Sequence, residues 1–237
     1  MRKKSVETQS LYTEKTDRWS SHSILYAWLT KFPKDTKVLD VGTAHGIVGR
    51  RCEDLGFILK GIEPNREWAN IATGFYGDML CSNIETAPDD YIANQDVIIC
   101  ADVLEHTPDP QAILSRLVSL QQPGARFLLS VPNVANLWVR LLLLFGKFEY
   151  SDKGILDRTH LRFFTRATFK QLLRASHLQV VEMKYTPIPL PLVNPFFQDN
   201  MLGRGLHWAL AQVTNLMPTL FAYQFVANTI LVREGGS

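Results

Sequence analysis

Residues 37–64 read KVLDVGTAHGIVGRRCEDLGFILKGIEP. Lys37 to Val41 is a short, valine-containing apolar run that stops at Gly42, the composition of a buried strand. Gly42, Ala44 and Gly46 then space small residues through a tight turn, and Ile47 to Leu55 carries helical periodicity. A second apolar strand, Phe57 to Ile62, ends at the carboxylate of Glu63. Such a strand–turn–helix–strand unit lets backbone N–H groups approach a ligand closely. The acid closing the second strand is placed to accept hydrogen bonds from ribose hydroxyls. The stretch predicts a site for a nucleoside-containing cofactor. NAD-binding and S-adenosylmethionine-binding folds both place an acid there, so this stretch alone does not choose between them.

Working outward, the segments on either side alternate strand and helix. Trp19 to Phe32 has helical spacing of Trp19, Ile24, Leu25, Trp28 and Leu29 and ends before Pro33. The polar Met1–Arg18 is expected to be loosely ordered at its tip, and Tyr12 and Trp19 are candidates to cover a ligand, although aromatic residues on such a segment more often simply pack. Downstream, Arg66–Gly74 reads as a short helix and Asp78–Ile84 as a third strand. Asp96–Ala101 is a continuous apolar run suited to a strand buried on both faces. It ends in Asp102-Val-Leu-Glu105-His106-Thr-Pro-Asp-Pro110. An amphipathic helix over Gln111–Leu120, a Pro123-Gly124 turn and a fifth strand over Ala125–Val131 follow. Regular alternation of this kind implies right-handed crossovers and a mostly parallel sheet, with ligands beyond the strand C-terminal ends. Asp40, Gly42, Glu63, Asn83, Asp102 and Asn133 all fall at those ends.

The second half is less regular. Leu137–Phe145 is strongly apolar and precedes a polar stretch, Gly154–Arg162. Thr165 is the expected N-cap of a helix over Arg166–Ser176, and Leu178–Tyr185 reads as a strand. Pro187–Pro195 contains four prolines and is expected to be extended or irregular. Gly205–Asn215 reads as an apolar helix and Phe225–Arg233 as a closing strand.

Composition bounds the function classes. The chain has 237 residues, 46% of them apolar, and a formal net charge of +2, too small to argue for a nucleic-acid partner. Cys52, Cys81 and Cys100 sit in apolar or strand-like stretches, show no C-x-x-C pairing and suit buried free thiols in a reducing compartment. With a polar start and no apolar leader, the expected location is cytoplasmic. Gly205–Val232 contains no Asp, Glu, Lys or Arg. Pro218 and the interspersed Gln212, Asn215, Gln224 and Asn228 argue against a continuous span. Two readings stay open: a cap helix plus a core strand, or a cap helix that dips with Leu137–Phe145 into the inner face of a membrane as a peripheral contact.

With these pieces in order, the chain resembles the class I S-adenosylmethionine-dependent methyltransferases, in the branch of ubiquinone-biosynthesis O-methyltransferases and small-molecule methyltransferases. Val38–Gly46 (VLDVGTAHG) matches the family's first motif, with Ala44 in place of its middle glycine and Thr43 in place of a cysteine. Gly61–Pro64 (GIEP) matches the acidic loop, Asp96–Pro110 the fourth-strand motif, and Ile155–Thr165 (ILDRTHLRFFT) the later histidine-containing segment. The resemblance implies an α/β, Rossmann-like, seven-stranded, mostly parallel sheet with helices on both faces. Its last strand would run antiparallel between the fifth and sixth, and a helical cap over 186–223 would lie between the last two strands. Residues 1–237 then form one domain, with 1–32 as a helical lid or packing segment.

The resemblance also implies S-adenosyl-L-methionine as cofactor, bound by Asp40, Gly42, Ala44, Gly46, Glu63, Asn83, Ile84, Asp102 and Leu104. The acceptor would be a small molecule, a hydroxyl of a sugar, quinone or lipid-linked intermediate. His160 and His106 are the general-base candidates, because imidazole titrates near neutral pH. Arg158 and Arg162 are candidates for an anionic group on the substrate. Asp102-x-x-Glu105-His106 also has a spacing that ubiquinone-type enzymes use for a divalent metal, although no metal is assigned. The competing readings are an inert cofactor-binding scaffold or partner subunit and, less favoured, a nicotinamide-dependent oxidoreductase. Nothing in the sequence sets the oligomeric state.

Overall fold

A computed structural model describes residues 17–232. Tyr12 and Arg233 therefore lie outside the described residues. In chain order the elements are α1 (Ser21–Leu29), β1 (Lys37–Val41), α2 (Ile47–Cys52), β2 (Ile58–Ile62), α3 (Arg66–Ala72), β3 (Asp78–Leu80), α4 (Asp89–Ile92), β4 (Val97–Ala101), α5 (Pro110–Ser119) and β5 (Arg126–Pro132). They continue with α6 (Leu137–Leu144), α7 (Arg166–Ala175), β6 (Leu178–Thr186), α8 (Leu190–Val193), α9 (Phe196–Asp199), α10 (Met201–Leu216), α11 (Pro218–Phe221) and β7 (Gln224–Leu231). The strands form one seven-stranded sheet in the order β3-β2-β1-β4-β5-β7-β6. β1 to β5 pair in parallel, while β7 runs antiparallel to both β5 and β6. This is the arrangement that the resemblance implies.

Two apolar layers explain why the central strands had to be continuous hydrophobic runs. Successive side chains point to opposite faces. Val38, Val97, Ile99 and Leu128 pack with Leu25 and Trp28 of α1 and Val48 of α2. Leu39, Ile98, Cys100 and Phe127 pack with α5 and α7 on the other face. Local signals set the helix starts. Ser20 caps α1 by accepting from Ser23 N (3.2 Å), and Asp109 caps α5 by accepting from Ala112 N (3.0 Å), with Pro110 at the first turn. Thr165 and Thr168 form a reciprocal capping box on α7.

Three sequence expectations are corrected. The third strand ends at Leu80, so Asn83 and Ile84 lie in the turn after it, where Thr86 N and Ala87 N bond back to the Asn83 carbonyl. The proline-rich stretch is not wholly irregular, because Pro191 sits in the first turn of α8, where its missing N–H costs nothing. Helix α10 starts at Met201 rather than Gly205. Gly203 is internal to it because any Cβ there would strike the Phe196 backbone of α9, so packing overrides glycine's weak helix propensity.

The insert between β6 and β7 therefore carries α8 to α11. It leaves from the C-terminal end of β6, on the same edge of the sheet as the C-terminal ends of β1, β2, β4 and β5. Asn133, just beyond β5, donates to the Thr219 and Ala222 carbonyls (3.2 and 2.9 Å). Asn136, the cap of α6, donates to those of Phe221 and Ala222 (3.3 and 2.9 Å). These bonds clamp the root of α6 to the end of the insert.

Candidate active site

At the end of β1 the backbone turns sharply. Gly42, Ala44 and Gly46 all have positive φ (76°, 48° and 85°). Glycine takes this conformation without cost, whereas alanine is strained in it. A Cβ at Gly42 would lie 2.6 Å from Val103 Cγ2, so this glycine lets the turn pack against the loop after β4 as well as bend. The turn is tied to β2 by Gly42 N and Thr43 N, which both donate to the Ile62 carbonyl (2.8 and 3.3 Å).

Glu63 is the centre of this end of the site. Its side chain is buried, and its two carboxylate oxygens accept from Asn65 N (2.9 Å) and Ala44 N (2.8 Å). Burial pushes its pKa up while those two N–H groups pull it down. An ionised carboxylate has about four acceptor positions, so two fixed N–H donors orient it and leave capacity for a vicinal diol. Asp40 is buried more deeply, accepting from the Tyr76 hydroxyl at 2.5 Å, and Tyr76 in turn accepts from Gly49 N (3.1 Å). Burial raises Asp40 to about 7, the Tyr76 bond opposes that, and the negative field of Glu63 adds to it.

A second group of side chains gathers beyond β4. Asp102 also has positive φ (56°), and its carboxylate accepts from Ser130 Oγ of β5 (2.5 Å) and Gln224 Nε2 of β7 (2.6 Å). Leu104, Glu105 and His106 form a short helical turn in which Leu104 is part of the core. The loop carrying His160 is fastened to that turn by Leu161 N and Arg162 N, which both donate to the Glu105 carbonyl (2.8 and 3.0 Å). The His106 and His160 rings meet edge to face with centroids 4.8 Å apart. His160 Nδ1 lies 3.1 Å from the Ile155 carbonyl and His106 Nδ1 3.2 Å from the Thr159 carbonyl. With those nitrogens as donors, the Nε2 atoms are the basic ones. Burial and the neighbouring His106 lower the His160 pKa, which favours the neutral imidazole over the charged one.

A family model for a methyltransferase domain matches residues 12–183. The chain belongs to the class I methyltransferases, which use S-adenosylmethionine. Among curated proteins, this methyltransferase is 29% identical over 163 residues to the ubiquinone biosynthesis O-methyltransferase of Burkholderia vietnamiensis (strain G4 / LMG 22486), covering 64% of this chain and 69% of that one. It is 32% identical over 103 residues to the enzyme of the same name from Idiomarina loihiensis, covering 41% and 42%. A solved structure of magnesium protoporphyrin IX methyltransferase from Synechocystis PCC 6803, with bound SAH, aligns with a TM-score of 0.62 at 15% identity, over 91% of this chain and 84% of that one. These likenesses agree with the fold described above.

The turn at Gly42–Gly46 and the buried, oriented Glu63 fit the ribose and methionine ends of such a cofactor. The remaining candidates sit differently. Ile84 is buried and Asn83 exposed in the turn after β3. Arg158 pairs with Asp152 at 2.7 Å on the surface, and the Arg162 guanidinium donates to the Pro108 carbonyl. The metal-like spacing is rearranged by the fold. Asp102 is bonded to Ser130 and Gln224, whereas Glu105, His106 and His160 each offer one ligand atom, all within 4.8 Å of one another. Tyr76, Ser130, Tyr223 and Gln224 were not singled out from the sequence as site residues. Tyr223, pushed up to about 12 by burial and then by the fields of Asp102 and Asp157, borders the same group. None belongs to a local motif; each arrives from a distant element.

The Asp40–Tyr76 pair gives a stability prediction. The folded protein holds the Asp40 proton up to about pH 7, against a reference pKa of 3.8. Folding stability from this group is therefore full below pH 3.8 and falls as pH rises to about 7, levelling off above it. Asp40→Asn keeps an acceptor for Tyr76 and removes the titration. Urea unfolding across this range should show the variant gaining on the parent as pH rises, by on the order of a few kcal/mol. A constant gap between the two would refute the buried-proton account.

Proposed function

We propose that this methyltransferase moves the methyl group of S-adenosylmethionine to a hydroxyl of a small-molecule acceptor, a sugar, quinone or lipid-linked intermediate. The observation that carries the reading is the pairing of an oriented, buried Glu63 at the β2 end with the His106–His160 pair beyond β4. The names of the ubiquinone-biosynthesis relatives support oxygen as the acceptor atom.

S-adenosylmethionine supplies a methyl group on a sulfonium, already a good leaving group. The chain's own residues must align the acceptor, exclude water and take the hydroxyl proton. Glu63 holds the ribose hydroxyls, and the Gly42–Gly46 turn with Asp40 borders the methionine end. Ile84 and Asn83 flank the adenine, while Asp102 and Leu104 shape the wall between cofactor and acceptor. His160 Nε2 accepts the proton, with His106 beside it. Arg158 and Arg162 would bind an anionic acceptor group only by leaving Asp152 and the Pro108 carbonyl.

Glu105, His106 and His160 also make a carboxylate-plus-imidazole set suited to a divalent cation, which would act there as a Lewis acid on the acceptor oxygen. Turnover lost on chelation and restored by added magnesium or manganese would assign the pair to metal holding rather than to proton removal. The three cysteines are free thiols, in keeping with a cytoplasmic setting; Cys52 and Cys100 are buried as expected, whereas Cys81 is exposed because the third strand ends before it.

Calorimetric titration with S-adenosylmethionine, its demethylated product and NADH tests the cofactor assignment, and a screen of hydroxylated sugars and quinones tests the acceptor. Both sulfur compounds should bind and NADH should not. Cofactor binding without turnover of any acceptor would favour the scaffold reading.

A further inference from the structure

The methyltransferase reading leaves unexplained a broad apolar surface on the edge of the sheet where the site lies. On α6, Trp138, Leu144 and Phe145 are 62%, 75% and 75% exposed. On the insert, Val193, Met201 and Leu216 reach 73%, 81% and 81%. The Asn133 and Asn136 side chains join these two regions by bonding the root of α6 to α11. Isolated exposed apolar residues are ordinary, but several on each of two helical segments tied together at their roots mark a surface that something covers.

Charge says what covers it. Residues 134–148 contain Arg140 and Lys147 and no acid, and residues 200–232 contain Arg204 and no acid. Asp199, at the end of α9, is the one acidic residue in 187–232. An apolar surface that carries Arg140, Lys147 and Arg204 against the single acid Asp199 is complementary to a bilayer with anionic headgroups. Trp138 and Trp208, one in each region and both exposed, are the residue type favoured at the headgroup level. A second copy of the chain fits less well, because a two-fold contact through this face would set its cations against themselves. Among the described residues no helix is long and apolar enough to cross a membrane, so the contact is one of lying on the surface.

A cleft of about 570 Å³ supports the same orientation. It runs between residues 17–20 and the insert, walled by Trp19, Phe197, Met201, Arg204 and Trp208, and it includes the buried His207 paired with Asp17 at 3.0 Å. Met201 and Trp208 belong both to the cleft wall and to the exposed surface.

We propose that α6 and the β6–β7 insert dock the protein on an anionic bilayer surface, with the cleft beside α10 opening toward the lipid. The experiment is vesicle flotation of the full chain with phosphatidylcholine alone and with phosphatidylcholine mixed with phosphatidylglycerol. The protein should float with the mixed vesicles, and added salt should weaken that binding. The pairs Leu144→Glu with Phe145→Glu, and Met201→Glu with Leu216→Glu, should each lower the bound fraction by about tenfold. All four side chains are exposed, so thermal midpoint and S-adenosylmethionine affinity should hold in both variants. No flotation with either vesicle would overturn the proposal, as would equal binding to neutral and anionic vesicles. So would a concentration-dependent dimer, seen by light scattering and abolished by the same substitutions, since the face would then belong to a second copy. S-adenosylmethionine binding is read separately, so either result leaves the methyl-transfer reading to its own test.

Discussion

Replacing Glu63 by alanine is expected to weaken S-adenosylmethionine binding by about 3 kcal/mol or more, roughly a hundredfold or greater rise in Kd. Hydrogen bonds from hydroxyls to an ionised carboxylate are worth more than neutral ones, and a ribose diol makes two of them. The Glu63 carboxylate is already aimed by Ala44 N and Asn65 N, so little ordering has to accompany binding. Glu63→Gln separates charge from shape. Its amide NH₂ must face one of two backbone donors where a carboxylate oxygen now accepts, so it should also bind weakly, with less loss than alanine. Calorimetry gives the affinities, and a thermal melt of the apo variants shows whether the β1–β2 junction survives. A folded alanine variant with parental affinity would remove Glu63 from the site.

His160→Ala is expected to lower kcat by about 10²–10⁴-fold, the range for loss of a positioned general base, while cofactor affinity is kept. The rate in the parent should rise with pH through an apparent pKa below the usual histidine value, because burial and His106 disfavour the charged ring. His106→Ala should therefore shift the limb upward, by removing the neighbour that repels a proton from His160. Loss of kcat with an unmoved pH limb in the remaining activity would show that His160 acts through structure rather than proton transfer.

The sequence carried the sheet because its evidence is local. A strand buried on both faces must be apolar throughout, and Val97–Ala101 is. Glu63 was legible for the same reason, since its spacing from the glycine turn is short and the turn has a distinctive composition. Asp102 was found, but its bonding to Ser130 and Gln224 was not, because those partners come from β5 and β7. The joining of His160 to Glu105 and His106 was hidden in the same way, by more than fifty residues of chain. Element ends also escaped where packing outweighs propensity, as at Gly203 inside α10.

The position of β7 has a consequence for how the molecule is made. β6 reaches the sheet only through β7, which pairs with β5 on its other side. During synthesis, residues 178–186 emerge before the strand that will hold them, and residues 187–223 must follow before that strand exists. The chain thus waits with an unpaired sheet edge on β5 and an apolar insert in solution, a state open to aggregation and to chaperone capture. A ribosome stalled before residue 224 should hold a nascent chain whose β1–β5 core resists protease while β6 is cut.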